Sequence, residues 1–260
     1  MFDIIGTAYR HRELILSFAV RDIKARYKQT ALGVAWSLLQ PLSMMLVFTL
    51  VFSLFAKVPS DGIPYPVFAY SALIFWTFFS NSISGGTMAM TSNGALIRKI
   101  YFPRETLLLS VLLAGLLDLA VASMFFWGML LYYRIAVTAA ALWILPLVVL
   151  QMILAFGVIS LTSAAHVHFR DIGHALPLLI QLWMFATPVA YPISVIPAWL
   201  TPLYLLNPMA PIIDGYRRAI ILGIRPDLET LAVSVAVTLA LTVTAFGIFK
   251  RAERTFADVI

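Results

Sequence analysis

One segment near the N-terminus, residues 21–42 with the sequence RDIKARYKQTALGVAWSLLQPL, constrains this chain more than any other. Its first half is densely cationic, and its second half opens an apolar run that carries no charge until Lys57. As an α-helix, residues 34–56 extend about 34 Å, which is enough to cross the hydrocarbon core of a bilayer. The cationic half is amphipathic at helical spacing, so it is predicted to lie in the headgroup plane. The chain is therefore predicted to be an all-α membrane protein.

Composition supports this class and excludes others. Hydrophobic residues make up 62% of the 260 residues and charged residues 12%, whereas soluble domains average about 45–50% and about 25%. The absence of cysteine excludes disulfides, thiolate metal sites and cysteine nucleophiles. The net charge of +6 is spread beside the apolar runs, so membrane lipids are expected as partners and nucleic acid is not.

Six membrane spans are predicted from the apolar runs, within a single transmembrane domain over residues 1–260. The predicted spans are residues 34–56, 67–91, 107–133, 139–165, 175–195 and 230–249. An even number of crossings leaves both termini on one side of the membrane. That side carries 13 of the 18 Lys and Arg residues, so the positive-inside rule predicts that both termini are cytoplasmic.

Three segments outside the spans are distinctive. Residues 1–31 contain the predicted interfacial helix, and residues 92–105 suit a short amphipathic helix in a cytoplasmic connection. Residues 192–228 are external, and six of the 14 prolines fall between Pro188 and Pro211. This region is too apolar for an exposed loop and too interrupted for one helix, so it is predicted to form a re-entrant helical hairpin.

Four stretches, taken in order along nearly the whole chain, resemble one family of membrane proteins. They are RDIKARYKQTALGVAWSLLQPL, IRKIYFPRE, HFRDI and TPVAYP followed by LNPMAPIIDGYRRAI. They resemble the permease subunits of type-2 ABC exporters, in the branch that exports polysaccharides such as O-antigen, capsule and teichoic acid. The resemblance implies a homodimer in the bacterial inner membrane, joined to two separate ATPase subunits. It also implies that the cargo is a glycan on a polyprenyl-pyrophosphate carrier.

The chain lacks the machinery to hydrolyse ATP. No G-x-x-x-x-G-K-S/T phosphate loop occurs in the sequence, and that loop is what cradles the phosphates in such ATPases. In keeping with this, the resemblance implies that the chain is a transporter permease rather than an enzyme, with no cofactor of its own. ATP and Mg²⁺ are expected on the partner subunit.

Two groups of candidate residues lie on the predicted cytoplasmic face. By the resemblance, residues 93–105 form a coupling helix that docks into the ATPase; an ordinary basic loop is the alternative. The candidate coupling residues are Asn93, Leu96, Ile97, Arg98, Lys99, Tyr101, Arg104, Arg170 and Asp171. The second group either meets the pyrophosphate at the substrate entrance or only anchors the basic helix to acidic lipids. Its members are Arg21, Lys24, Arg26 and Lys28.

Aromatic side chains are candidates for lining a glycan channel, because their rings can pack against the apolar faces of pyranose sugars. The alternative for each ring is a place in an interface belt or packing against lipid. The candidates are Trp36, Phe48, Phe52, Phe55, Phe75, Phe79 and Tyr191.

Other charged and polar residues give weaker hypotheses. The histidines within residues 166–174 have no recognised metal-ligand spacing, so no metal site is predicted and a cytoplasmic loop is favoured. Asp214, Arg217 and Arg218 are spaced as a local charge set that would hold the external hairpin. Asp118 is the lone acid inside the third span, so it is either a proton relay or a hydrogen-bonded acid with a structural role or a place at a dimer interface.

Two rival functions remain open on the sequence. A type-2 ABC permease for a small hydrophobic drug or lipid would share the architecture, but it would bind its cargo in a discrete pocket. An ion-driven secondary transporter would instead be centred on Asp118 and would need no ATPase.

Overall fold

The computed structural model describes residues 4–28, 30, 32–197 and 199–259, and all the regular secondary structure in this part of the chain is helical. Residues 1–3, 29 and 31 of the predicted N-terminal segment, and residue 198 of the predicted external region, lie outside the described residues. Helices α1 to α6 are Ile4–Arg10, Arg12–Tyr27, Ala35–Phe48, Tyr65–Ser92, Gly94–Lys99 and Glu105–Tyr132. Helices α7 to α12 are Ile144–His168, Ile172–Phe185, Thr201–Leu205, Met209–Arg217, Leu228–Ala252 and Phe256–Val259.

Five helical stretches in the described part of the chain are long and apolar enough to cross a membrane. They are Ala35–Phe55, Tyr65–Ser92, Glu105–Tyr132, Ala139–His168 and Leu228–Thr255. The first joins α3 to a π-helical turn, and the fourth joins a short 3-10 helix to α7. Five of the six predicted spans are therefore confirmed, with small shifts at their ends.

The fifth predicted span, residues 175–195, is wrong in its length. Helix α8 has 14 residues, so it extends about 21 Å, less than the roughly 30 Å of a hydrocarbon core. It ends at Phe185 because Pro188 cannot continue the ladder of backbone hydrogen bonds and restricts the residue before it. The rest of this predicted span is a turn followed by the short 3-10 helix Ile193–Val195. The turn reaches the start of α4, where Tyr65 donates to the Ala190 carbonyl at 2.8 Å.

Helix α4 lies at the centre of the bundle and packs against α3, α6, α7, α8 and α10. Most of its side chains are buried, above all between Tyr65 and Phe79, and Tyr70 and Phe79 are fully buried. Helices α3 and α8 are peripheral, and they leave apolar side chains such as Leu46 and Leu182 more than half exposed. These two helices therefore present apolar faces that the single chain does not cover.

The two ends of the bundle differ in chemistry. At one end α4, α7 and α11 finish and α6 and α8 begin, as the contact of Lys250 Nζ with Glu105 Oε2 at 2.7 Å shows. His168 Nε2 and Thr255 Oγ1, 3.3 Å apart, join α7 to the segment after α11 at the same end. We call this the basic end, and we call the opposite end, where the turn after α8 meets α4, the proline-rich end.

The close packing of α7 on α11 depends on Gly157. A Cβ atom at this position would lie 2.5 Å from Thr242 Oγ1 and 2.8 Å from Thr242 Cα, so the backbones are too close for a side chain. Gly157→Ala is expected to lower the stability of the detergent-solubilised protein by about 2 kcal/mol, because the helices must separate. Gly247→Ala is the control, since a Cβ there meets open space. Equal thermal midpoints for the two variants would contradict this packing.

Candidate functional site at the basic end of the bundle

The short helix α5 is fixed to the bundle through its inner face. Ile97 is 5% exposed and lies in the core, and Leu96 packs against that core. Asn93 Nδ2 donates to the Ala89 carbonyl at 2.8 Å, and the Asn93 carbonyl accepts from the amides of Leu96 and Ile97. The sequence predicts an ATPase contact for these three residues, but their side chains face their own bundle. They therefore hold α5 in place.

The outer face of α5 and the residues after it form an exposed patch, which we call the α5 patch. Its members are Arg98, Lys99, Ile100 and Tyr101. Tyr101 is 95% exposed and Ile100 is 58% exposed. Within the described residues, neither cation has an ion-pair partner. An exposed aromatic ring beside basic side chains is typical of protein interfaces. The predicted coupling role of Arg98, Lys99 and Tyr101 stays a prediction.

Arg104 and Glu105 join the end of this connection to the C-terminal helices. The Arg104 guanidinium donates to the Glu253 carbonyl and lies 5.7 Å from the centroid of the Phe256 ring. Glu105 is 3% exposed, and Lys250 binds both its carboxylate and that of Glu253, the latter at 2.9 Å. Arg104 therefore anchors the connection, and because its side chain is only half-buried, its predicted coupling role stays a prediction. Sequence reasoning missed the ion pair, since its partners are 145 residues apart.

The connection between α7 and α8 is the second exposed feature of the basic end. Arg170 and Asp171 are both exposed. The Asp171 carbonyl accepts from the amides of His174 and Ala175, each at 3.0 Å, which closes the first turn of α8. The predicted coupling role of Arg170 and Asp171 is therefore sterically open, and it stays a prediction.

The basic helix α2 packs along α6 and joins it through Asp118. Arg26 and Tyr27 both donate to the Asp118 carboxylate. Asp118 lies about 20 Å along α6 from Glu105. Burial, followed by the hydrogen bond to Asp118, raises the pKa of Tyr27, so the phenol remains a donor. With two donors on one carboxylate, the structural acid is favoured over the proton relay.

The predicted entrance residues are not equally available to a ligand. The guanidinium of Arg26 already pairs with the Asp118 carboxylate. Arg21 pairs with its neighbour Asp22 at 2.8 Å. Lys24 and Lys28 are exposed and, in the described part of the chain, pair with no acid. The entrance hypothesis therefore depends mainly on the two lysines.

Asp118→Asn is expected to leave export working, because the carboxylate is bound by Arg26 and Tyr27 rather than free to relay protons. The amide still accepts from Tyr27 but no longer pairs with Arg26, so stability is expected to fall by about 1–2 kcal/mol. Thermal unfolding of Asp118→Asn, Arg26→Gln and the double variant should give a coupling energy above about 0.5 kcal/mol. Complete loss of export by a folded Asp118→Asn protein would instead favour the ion-driven transporter.

The structure divides the predicted channel aromatics into buried and exposed rings. The buried residues are Phe48, Phe75 and Phe79, which are 4%, 3% and 0% exposed. These three fill the core of the single chain, so they are corrected from channel lining to packing. The exposed residues are Trp36 and Phe55, which are 53% and 81% exposed. Phe52 and Tyr191 are half-buried. The channel hypothesis therefore continues mainly with Trp36 and Phe55.

A buried polar network, missed by sequence reasoning, joins α10 to α4 and α7. Gln151 Nε2 donates to the Phe75 carbonyl at 2.8 Å, and the Tyr216 hydroxyl donates to Gln151 Oε1 at 2.9 Å. The rings of Phe75 and Tyr216 are stacked, with centroids 3.5 Å apart. A lone Gln in an apolar span indicates a side chain that faces protein, but the sequence does not show that its partners lie on α4 and α10.

At the proline-rich end, Arg217 binds the turn that follows α8. It is 4% exposed, and its guanidinium donates to the carbonyls of Pro188, Val189 and Tyr191, the last two at 2.6 and 3.3 Å. Its Cζ lies 3.7 Å from the centroid of the Phe68 ring. Burial lowers the pKa of Arg217 to about 9, so it remains charged at neutral pH.

The predicted charge set of the external region is partly confirmed. Asp214 Oδ2 and Arg218 Nε form the expected i, i+4 pair at 2.7 Å. Arg217 is not part of that set, because its side chain turns inward to the backbone carbonyls. The region itself folds as the short helices α9 and α10, as its prolines predict.

Comparisons with known proteins agree with this architecture. The family model of the ABC-2 type transporter matches residues 13–221. The O-antigen export system permease protein RfbA of Myxococcus xanthus is 32% identical over 267 residues, covering 100% of both chains. An O-antigen export system permease protein RfbA of Klebsiella pneumoniae is 28% identical over 95% of both chains. The polysialic acid transport protein KpsM of Escherichia coli is 24% identical over 85% of this chain and 87% of its own. The chain therefore belongs to the ABC-2 type transporter family.

Proposed function

We propose that this chain is the membrane subunit of an ATP-driven ABC exporter that carries a lipid-linked, O-antigen-like polysaccharide across the bacterial inner membrane. The observation that carries the proposal is the end-to-end similarity to an O-antigen export permease. The cargo is expected to be attached to a polyprenyl-pyrophosphate carrier. The basic end faces the cytoplasm, in keeping with the positive-inside rule, so both termini are cytoplasmic.

The working assembly in this proposal is a homodimer bound to two ATPase subunits. The apolar faces of α3 and α8 support a second copy as neighbour, since Leu46 and Leu178 are 53% and 60% exposed. ATP and Mg²⁺ are bound by the ATPase subunits, because this chain has no phosphate loop. The glycan passes between the two copies, with Trp36 and Phe55 available to contact sugar rings.

The α5 patch is the proposed point at which the ATPase acts. Closure of the ATPase subunits on ATP pushes on Tyr101 and its basic neighbours. The push reaches the spans by two routes, because Asn93 and Ile97 tie α5 to the bundle and α4, while Arg104 ties the following residues to the C-terminal helices. α4 touches most other helices, so its displacement is expected to separate the two copies.

Complementation of a strain that lacks this gene tests the proposal. The deletion strain is expected to accumulate lipid-linked polymer in the cytoplasm, and the wild-type gene is expected to restore polymer at the cell surface. Polymer is followed on each side of the inner membrane by antibody labelling of intact and permeabilised cells. Normal surface polymer in the deletion strain would contradict the proposal.

A second experiment separates this function from export of a small hydrophobic drug or lipid. The purified complex with its ATPase is placed in lipid nanodiscs, and ATP hydrolysis is measured with lipid-linked glycan or with small amphiphiles. The glycan is expected to stimulate hydrolysis. Stimulation by amphiphiles alone would favour the drug or lipid permease.

A further inference from the structure

A cavity of about 550 Å³ opens at the basic end of the bundle, between the last turns of α4 and α7 and the first turn of α8. Its lining includes Met88 and Thr91 from α4, together with His166, Arg170 and His174. No Asp or Glu is among the lining residues that the structure describes. The cavity is therefore rich in groups that can donate hydrogen bonds or carry positive charge.

His166 supplies the buried wall of this cavity. It is 7% exposed, and its Nδ1 has no hydrogen-bond partner within the described residues. In contrast, His168 Nδ1 lies 3.1 Å from the Ala164 carbonyl. Buried polar atoms are nearly always paired, so an unpaired one indicates a bound water, ion or ligand.

Gly173 leaves room beside the edge of the His166 ring that carries Nδ1, a nitrogen that is enclosed at the wall of the cavity. A Cβ atom at Gly173 would lie 3.0 Å from His166 Cε1 and 2.8 Å from Met88 Cε. Any side chain at this position would therefore press on the edge of the imidazole that carries Nδ1. Gly173, His166 and Met88 all line the cavity.

Arg170 and His174 supply the exposed rim. Both side chains are exposed, and neither has an ion-pair partner among the described residues. A guanidinium offers several donors in one plane that match the oxygens of a phosphate, and a protonated imidazole donates from both nitrogens. One buried and two exposed donor groups line a space that has no Asp or Glu among its described lining residues, and such a set suits an anion with several oxygens.

We propose that His166, Arg170 and His174 form a binding site for a phosphate group at the basic end of the bundle. The source we infer is the pyrophosphate head group of a lipid carrier, and this choice rests on the proposed function. The site differs from the entrance hypothesis for α2, since it lies between α4, α7 and α8. Free pyrophosphate shares the same chemistry, so the test must separate the two sources.

The experiment measures how fast diethyl pyrocarbonate modifies His174 in the purified protein in lipid nanodiscs, by mass spectrometry. Four additions are compared: polyprenyl pyrophosphate in the nanodisc, soluble inorganic pyrophosphate, soluble sulfate, and the purified ATPase. Modification of His174 is expected to slow about tenfold when the phosphate ligand is present at about ten times its Kd. His168 is the internal control, because it does not line the cavity.

Two variants test the buried part of the site. His166→Gln removes the unpaired imidazole, and Gly173→Ala keeps all three donor groups but crowds the ring. Both are expected to weaken protection of His174 by about tenfold in ligand concentration, the loss of one charge-assisted hydrogen bond. His168→Gln is the matched control and should leave protection unchanged. If His166→Gln fails to fold, Gly173→Ala alone decides the result.

The outcomes separate the possibilities. Protection by the lipid alone supports a membrane-held head group, and equal protection by soluble pyrophosphate supports a site for free phosphate. No protection of His174 by either, or equal protection by sulfate, would overturn the phosphate site. Protection by the ATPase in place of phosphate would show a protein contact and would also overturn it. The assay involves neither ATP nor transport, so a failure of the proposed export function would not affect its result.

Discussion

Arg217→Met is expected to lower the stability of the purified protein by about 3 kcal/mol and to abolish export. The guanidinium donates to three carbonyls of the turn after α8, and methionine cannot replace any of these bonds. Buried carbonyls that lose their donors carry a desolvation cost of about 1–3 kcal/mol each, partly relieved by relaxation. Thermal and urea unfolding in detergent measure the loss, and surface polymer measures export.

The size of this effect follows from the backbone around Pro188. Helix α8 has ended by that point, and Arg217 supplies donors to the turn from α10. Tyr65 supplies another donor, to the Ala190 carbonyl. Since α4 and α10 hold the turn from two directions, loss of Arg217 is expected to loosen the whole proline-rich end.

Arg218→Met provides the matched control. Arg218 is the next residue in the chain, and its pair with Asp214 is partly exposed. Such pairs contribute about 0–1 kcal/mol, so this variant should stay close to wild type in stability. Equal losses for the two arginines would contradict the role given to Arg217.

Removing the α5 patch is expected to uncouple the ATPase without harming the fold. Tyr101→Ala combined with Arg98→Glu takes away an almost fully exposed ring and reverses a charge. Tyrosine and arginine at the centre of an interface each commonly contribute about 2 kcal/mol or more, so ATPase affinity is expected to fall by at least about thirtyfold. Pull-down and stimulated ATP hydrolysis measure the loss, while the thermal midpoint should not change.

Tyr132→Ala is the control for the α5 patch. Tyr132 is 81% exposed at the other end of α6, so it offers a comparable ring on the opposite side of the bundle. This variant should bind and stimulate the ATPase as wild type does. Normal stimulation by the Tyr101 and Arg98 double variant would show that the ATPase docks elsewhere.

The spans were predictable because a bilayer demands long apolar helices, and such runs stand out in any sequence. The exception is α8, where the apolar run continues past Phe185 but the helix does not. Pro188 and the other prolines signalled an interruption, yet hydropathy alone could not place where the helix would end.

The side chains that hold the site together were less predictable. A helix that is apolar all round gives no periodic signal for which face is buried, so Phe75 and Phe79 looked the same as Phe55. Pairs such as Arg26 with Asp118 lie 92 residues apart in the chain. Their charges were visible in the sequence, but only the packing of α2 on α6 shows that they meet.

Transport by reconstituted proteoliposomes tests the central claim most directly. The purified chain is incorporated with its ATPase partner, with a partner that cannot hydrolyse ATP, or alone, and translocation of lipid-linked glycan is measured after ATP is added. Translocation is expected only with the active partner, because this chain carries no phosphate loop. Equal translocation by the chain alone would contradict ATP-driven export.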